Sequence, residues 1–181
     1  MTSIRSLAFP LICLALVAPT RADNAMTWVD VRPFGVEGQG WTETKAPFDR
    51  LPEKAEGVVR KPVWDLSHHS AGLCVRFVTD AKTIQGRWTL TSTRLEMVHM
   101  PAIGVSGLDL YVKGDDGHWR WLGVGRPTGE TTTAMLVSGL PEGTREYMLY
   151  FPLYNGVTSL EIGVPEGCTL KKAAARPEDR R

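Results

Sequence analysis

Residues 100–113 read MPAIGVSGLDLYVK, and this stretch decides the fold class. From Leu108 to Lys113 apolar and polar residues alternate, which places two leucines and a valine on one face and Asp, Tyr and Lys on the other. This period of two predicts a half-buried β-strand. The Gly-Asp-Asp-Gly that follows at residues 114–117 has turn composition. Residues 118–124 are therefore predicted to return as the antiparallel partner in a hairpin.

The same kind of pattern recurs along the chain. Short runs rich in Val, Thr, Trp, Tyr and Leu are separated by Gly, Pro, Asp and Asn, and no long 3.6-residue repeat is present. Further strands are predicted at residues 73–78, 84–90, 132–138, 145–150 and 158–164. The turn-like residues 79–82 predict a hairpin between the first two of these strands. We expect one all-β domain, an antiparallel β-sandwich or jelly roll.

The sequence predicts three segments. Residues 1–22 have the features of a secretory signal peptide, with Arg5 before an apolar run that is too short to span a bilayer and a cleavage site after Ala22. A membrane anchor is the disfavoured alternative, because nothing extends the apolar run. Residues 23–170 are predicted to form the β-sandwich domain, and the charged residues 171–181 a linker or exposed tail. The protein is therefore expected to be secreted or periplasmic.

Charge and cysteine content restrict the function classes. Removal of the leader changes the formal net charge from +1 to about −1. This near-balance gives no reason to expect nucleic acid or an anionic membrane surface as a partner, and no second apolar stretch predicts a membrane span. Cys74 and Cys168 then remain. A disulfide and two buried thiols both stay open, because pairing requires Cα atoms within about 7 Å.

Several residues are candidates for chemistry. Ser106 lies in Gly-Val-Ser-Gly, which lacks the last glycine of a Gly-x-Ser-x-Gly nucleophile elbow, so a loop serine is the favoured interpretation. The histidines at 68, 69 and 99 show no metal-ligand spacing, and adjacent histidines in an extended segment point in opposite directions. No metal and no cofactor are therefore expected.

The tryptophans suggest a binding surface. Aromatic rings stack on sugars in carbohydrate-binding β-sandwiches, and two of the candidates share one predicted strand face. The alternative is that they fill the core, with each N–H tied to a partner. The five candidates are Trp41, Trp64, Trp88, Trp119 and Trp121.

The ordered set of motifs resembles the GxDLY domain, which is found at the N-terminus of secreted SGNH-type (GDSL-like) acyl esterases. Gly107-Leu-Asp-Leu-Tyr111 carries the motif that names the domain. The other matching blocks cover nearly all of the predicted mature chain. They are Trp41, residues 49–52 (DRLP), 64–67 (WDLS), 70–72 (SAG), 77–81 (FVTDA), 99–102 (HMPA), 150–156 (YFPLYNG) and 160–164 (LEIGV).

The resemblance implies a non-catalytic accessory domain. In the family a β-sandwich precedes an α/β SGNH hydrolase domain, which cleaves esters through a Ser-His-Asp set. We expect that catalytic domain to lie outside these 181 residues. The chain would dock to it and help to position an acyl-ester substrate, with a carbohydrate ester among the candidates. The residues expected to make contact are His99, Ser106, Asp109, Tyr111, Tyr154 and Asn155.

Two other functions are considered. A stand-alone carbohydrate-binding module is suggested by the tryptophans and the leader. A compact esterase would use Ser106 with Asp65 and His68, whose Asp-x-x-His spacing matches the acid–base pair of SGNH hydrolases. In those enzymes the pair follows the serine block, whereas here it precedes Ser106. Asp65 is therefore interpreted as a turn residue and His68 as its polar neighbour.

Overall fold

The computed structural model describes residues 25–176, and it confirms the all-β sandwich for that range. Two short helices, α1 (Lys61–Ser67) and α2 (Ala102–Ser106), and two 3-10 turns (Arg32–Phe34 and Glu53–Ala55) join the strands. The strands are β1 (Met26–Asp30), β2 (Val36–Glu37), β3 (Cys74–Thr79), β4 (Ile84–Leu90), β5 (Leu108–Lys113), β6 (Trp119–Gly125), β7 (Thr131–Val137), β8 (Arg145–Tyr150), β9 (Val157–Pro165) and β10 (Leu170–Lys172).

Two antiparallel sheets face each other. The four-stranded sheet has the order β1-β9-β4-β7, and the six-stranded sheet has the order β10-β3-β8-β5-β6, with β2 also paired to β3. The predicted hairpin of β5 and β6 is confirmed, with Leu108 opposite Gly125 and Lys113 opposite Trp119. A bulge interrupts this pairing between Leu110 and Tyr111. Such bulges bend a strand locally and re-aim its side chains.

The core lies between the sheets. In β4 buried and half-buried residues alternate strictly, so Trp88 and its even-numbered neighbours point inward. From the other sheet Phe77 and Tyr147 stack with ring centroids 5.5 Å apart. Trp88 is fully buried, and its indole Nε1 donates to the Ser106 carbonyl at 3.1 Å. Burial of each large apolar side chain stabilises the fold by roughly 1.5–3 kcal/mol.

The predicted hairpin of β3 and β4 is wrong. β3 pairs with β8 in the six-stranded sheet, while β4 pairs with β7 and β9 in the four-stranded sheet. The link between them therefore crosses from one layer to the other, a distance of about 10 Å. Thr79 supports the crossing, because its Oγ1 accepts from Ala81 N at 3.1 Å and donates to Thr169 O at 2.6 Å.

The two helices were not predicted, because seven and five residues are too few for a 3.6-residue repeat to be visible. Asp65 lies within α1 rather than in a turn, and its carboxylate pairs with Lys61 one helical turn earlier. No helix in the described range is long and apolar enough to cross a membrane.

Both cysteines in the described residues, Cys74 and Cys168, are free thiols. Cys74 begins β3, whereas Cys168 lies just before β10, whose Leu170 pairs with Thr79 at the far end of β3. Five residues of strand at about 3.3 Å each separate these ends, which exceeds the Cα separation that a disulfide can bridge.

The predicted leader, residues 1–22, lies outside the described residues and remains a prediction, as does the tail beyond residue 176. Within the segment assigned to the tail, Lys171 and Lys172 belong to β10. They pair with Val78 and Phe77. Ala173 is buried, so ordered structure continues past the predicted domain end at residue 170.

Candidate functional site

Three segments meet at one end of the sandwich. They are residues 66–70 at the end of α1, residues 91–107 leading through α2, and residues 151–156 between β8 and β9. We call this region the loop-end surface. Ser70 N donates to Asn155 O at 3.1 Å, and Tyr154 N donates to Val105 O at 3.0 Å, so backbone hydrogen bonds join all three segments. Loops held by a rigid sheet in this way commonly carry binding residues.

Asn155 organises the loop-end surface from inside. Its side-chain amide Nδ2 donates to Ser92 O and to Ser106 Oγ, both at 3.0 Å. Thr91 Oγ1 donates to its Oδ1 at 3.3 Å, and Ser70 Oγ donates to its backbone carbonyl at 3.0 Å. The residue is almost fully buried. Asn155 was predicted to contact a partner, but its side chain lies inside the protein. It supports the loop-end surface and is not part of its exposed face.

Ser106 is fully buried at the end of α2. Its hydroxyl accepts from Asn155, and its carbonyl accepts from the Trp88 indole. Gly107 follows in a very crowded position, because a Cβ there would lie 2.3 Å from Ile103 O and 2.8 Å from Gly125 O. This crowding explains why the Gly-x-Asp-Leu-Tyr motif begins with glycine.

A histidine–carboxylate pair lies beside this cluster and was not predicted. Asp49 is buried, and its Oδ2 lies 2.9 Å from His68 Nδ1 and accepts from Ala46 N at 3.2 Å. The His68 ring also meets Trp64 edge-on, with centroids 4.9 Å apart. Ser106, Asp65 and His68 therefore each have a different partner, and they do not form the Ser-His-Asp set that a compact esterase would use.

Arg50, which follows Asp49 in the sequence, binds the end of α1. Its guanidinium donates to Leu66 O at 2.6 Å and to His69 O at 2.8 Å, so it satisfies carbonyls that a helix end leaves free. Burial lowers the pKa of His69, and the nearby charges of Arg50 and His68 lower it further. The DRLP block was the only sequence signal for Asp49 and Arg50, and the α1-end residues that they contact lie 16 to 19 positions further along the chain.

Apolar side chains project from the loop-end surface. Leu153 and Tyr154 are 45% and 43% exposed on the 151–156 segment. Ile103 on α2, Val98 before it and Leu66 on α1 are also exposed. The loop-end surface is therefore the candidate interaction surface of this domain.

Two of the other predicted contact residues, Asp109 and Tyr111, lie away from the loop-end surface. Asp109 and Tyr111 alternate with the buried leucines of β5, so they face outward from the six-stranded sheet. Asp109 Oδ1 accepts from Trp121 Nε1 at 3.1 Å, and the Tyr111 ring meets Tyr150 with centroids 5.7 Å apart. His99 is exposed in the segment before α2. The structure therefore places His99, Ser106, Tyr154 and Asn155 on segments of the loop-end surface, and it places Asp109 and Tyr111 on β5.

The tryptophans do not form one platform. Trp88 is in the core, and Trp64 contacts His68. Trp41 and Trp121 are exposed, while Trp119 is half-buried beneath the Lys113 ammonium, 5.9 Å from its ring centroid. Among residues 25–176, no group of three or more His, Cys, Asp or Glu side chains is arranged to hold a metal ion.

Comparison with known proteins gives a family and a structural relative. A family model described as the GxDLY N-terminus of SGNH-hydrolase-type esterases matches residues 26–170. A protein of Bacteroides ovatus ATCC 8483, assigned as a GDSL-like lipase and solved at 1.40 Å resolution, is 32% identical with a TM-score of 0.78. The match covers 83% of this chain and 44% of that one.

A second solved structure is the salicylyl-acyltransferase SsfX3 from a tetracycline biosynthetic pathway, at 21% identity and a TM-score of 0.49. The match covers 88% of this chain and 42% of that one. The chain thus spans less than half the length of both solved structures. No curated protein matches it.

Proposed function

The chain belongs to the GxDLY family, the N-terminal domain of SGNH-hydrolase-type esterases, and from this we propose that it is a non-catalytic docking domain for such an esterase. The hydrolase domain supplies the ester chemistry, and this domain holds it and helps to position an acylated substrate. We further propose that the protein is secreted or periplasmic, with residues 1–22 removed as a signal peptide.

The observation that supports docking most directly is the construction of the loop-end surface. Its backbone is held rigid by buried hydrogen bonds around Asn155, while Leu153 and Tyr154 beside it remain exposed. A rigid frame lowers the entropy cost of association, because few side chains and no loops have to be ordered on binding. A central aromatic such as Tyr154 is typical of the residues that dominate interface energies.

The environment of Ser106 argues against catalysis by this domain alone. A nucleophile must reach the substrate and be activated by a neighbouring base. The Ser106 hydroxyl is fully buried and contacts an amide, not an imidazole. The prediction is that the purified chain gives no turnover of p-nitrophenyl acetate above background. Turnover that disappears in Ser106→Ala, with the fold intact, would contradict the non-catalytic role.

The docking proposal is tested first by sequencing the DNA downstream of the Arg181 codon, where we expect an SGNH hydrolase domain in frame or in the adjacent gene. The association of that domain with this chain is then measured. Tyr154→Arg should weaken association about tenfold or more, because it places a charge in the apolar contact. Met135→Arg is the matched control, since Met135 is equally exposed but lies on β7 of the other sheet. Association is measured by calorimetry with the two domains as separate chains.

Equal affinities for Tyr154→Arg, Met135→Arg and the unmodified chain would show that the loop-end surface is not the docking site. Absence of any SGNH coding sequence nearby would contradict a hydrolase partner altogether.

Glycan binding is the second candidate function. It is favoured by Trp121, which is 57% exposed while its indole N–H is fixed by Asp109. An exposed ring held in one orientation is suited to stack on a sugar. Titration with polysaccharide fragments should then change tryptophan fluorescence in the unmodified chain but not in Trp121→Ala. No response to any fragment would remove this candidate.

A further inference from the structure

A cleft of about 710 Å³ opens on the outer face of the six-stranded sheet. Its walls come from the glycine-rich segment 34–40, the start of β3, Tyr150 at the end of β8 and residues 172–176. This volume is within the range of roughly 300–1,000 Å³ that is typical of small-molecule sites. The loop-end surface contributes no residue to it, so the cleft has no part in the docking proposed above.

The floor of the cleft is preformed. Arg76 is only 8% exposed, and its guanidinium is held by three partners. It pairs with Glu37 Oε1 at 2.6 Å, pairs with Glu146, and donates to Ala174 O at 2.8 Å. A buried guanidinium with all its main donors engaged cannot easily change position, so the cleft keeps its shape without a ligand.

The lining carries an excess of positive charge. Arg76, Lys172 and Arg176 line the cleft against a single carboxylate, Glu37. Glu37 is already shared, because its second oxygen accepts from Arg176 at 2.5 Å. Among the described residues, no carboxylate lies within salt-bridge distance of Lys172, whereas the other two cations are paired.

Lys172 is aimed into the cleft by the neighbouring glycine. A Cβ built on Gly35 would lie 3.1 Å from the Lys172 ammonium, so the absence of a side chain there gives the ammonium its place. Gly35 also has a φ of 85°, which disfavours any replacement. An ammonium that has no carboxylate partner among residues 25–176, at the edge of a fixed cleft, attracts an anion.

The remainder of the lining is apolar or neutral. Val36 and Phe34 contribute aliphatic and aromatic surface, and the Tyr150 ring closes one side. Cys74 is also in the lining, but burial raises the pKa of its thiol to about 11, so it is neutral near pH 7. The cleft therefore combines one available cation with an apolar wall.

We propose that this cleft binds a small organic carboxylate with an apolar or aromatic body. The carboxylate lies against Lys172, with Arg176 next to it, and the body lies along Val36 and Tyr150. The ammonium of Lys172 suits a carboxylate as a point charge, and Arg176 adds a second positive charge beside it. This binding activity goes beyond the docking role and does not depend on it.

The test uses phenylacetate as the probe and phenylacetamide, its uncharged isostere, as the matched control ligand, with the full chain in calorimetry. Phenylacetate should bind measurably and phenylacetamide at least tenfold more weakly. Lys172→Gln should weaken phenylacetate binding at least tenfold. Lys171→Gln, the adjacent exposed lysine of the same strand that does not line the cleft, should leave it unchanged.

Three results would overturn the proposal. They are no saturation by phenylacetate at about 10 mM, which is too weak for a built site, equal binding of the two ligands, and equal effects of the two lysine substitutions. Thermal unfolding of both variants checks that the fold is retained, and Arg176→Gln provides a second variant that should also weaken phenylacetate binding.

Discussion

Asn155 connects three segments that are far apart in the sequence. Its side-chain amide has partners in residues 91, 92 and 106, and its backbone carbonyl accepts from Ser70, so this one residue holds the frame of the loop-end surface. Within a buried network, the loss of one member leaves several polar groups without partners, and each such group carries a desolvation cost.

The first prediction follows from that cost. Asn155→Ala should lower the free energy of unfolding by about 2–4 kcal/mol, because the buried Ser106 Oγ and the Ser92 carbonyl lose the donor that Asn155 supplies. Urea denaturation measures it. Thr158→Ala, which removes one exposed hydroxyl, is the control and should change the same quantity by no more than about 0.5 kcal/mol. Equal effects of the two substitutions would show that the network does not hold the frame.

The second prediction concerns the two thiols. At pH 8 about one Cys74 side chain in a thousand is a thiolate, because burial raises its pKa to about 11. Cys168 is less buried than Cys74. Iodoacetamide at pH 8 should therefore modify Cys168 well before Cys74, as peptide mass spectrometry can show. Since a raised pKa withholds the thiolate, Cys74 modification should increase as the pH approaches 11. Similar rates at pH 8 would contradict this environment for Cys74.

At the scale of elements, the strands were predictable where burial is one-sided. The strands predicted at residues 84–90, 108–113 and 145–150 have the same bounds as β4, β5 and β8. Buried and half-buried residues alternate in β4 and in the first part of β5. The sheet that each strand joins was not predictable. Alternation shows that a strand has a buried face, but both sheets of a sandwich offer the same kind of face. The link after β3 was therefore assigned to a hairpin, although it crosses between the layers.

The candidate site was less predictable than the strands, because its contacts are tertiary. The pair of Asp49 and His68 joins residues 19 positions apart through a loop and a short helix, and neither has a periodic pattern. Ser106 and Asn155 were both selected from the sequence as surface contacts. They were selected because they are polar. A polar residue is also stable in the interior, however, when its hydrogen-bond partners are present.

The third prediction tests the glycine at the junction of α2 and β5. Gly107→Ala should destabilise the protein by about 3 kcal/mol or more, because the new Cβ meets two backbone carbonyls that cannot move independently. Thermal or urea unfolding measures the loss. Gly129→Ala is the control, since the nearest atom to a Cβ there is 3.8 Å away. If Gly107→Ala leaves the free energy of unfolding unchanged, α2 can shift relative to β6.

At the scale of the whole molecule, charged side chains bind the edge of the six-stranded sheet to residues 173–176. Glu37 on β2 accepts from Arg76 on β3 and from Arg176. Glu146 on β8 pairs with Arg76 and with Lys113 on β5. Four strands and the segment after β10 therefore share one ion-pair network, and it borders the cleft. Networks of this kind contribute more than isolated exposed pairs.

The last prediction separates local from global stability. Glu37→Gln removes the carboxylate that holds both Arg76 and Arg176, so the segment after β10 should open more often while the core remains folded. Exchange of the Ala173 amide, which donates to Arg76 O at 3.3 Å, should become at least several-fold faster. The midpoint of thermal unfolding should fall only slightly, because the sandwich core between the sheets is untouched. Glu142→Gln removes an exposed partner of Lys82 and serves as the control, with no effect on Ala173 exchange. If Glu37→Gln and Glu142→Gln leave that exchange equally slow, the strand pairing of β10 alone holds this segment, and the network serves only to arrange charge around the cleft.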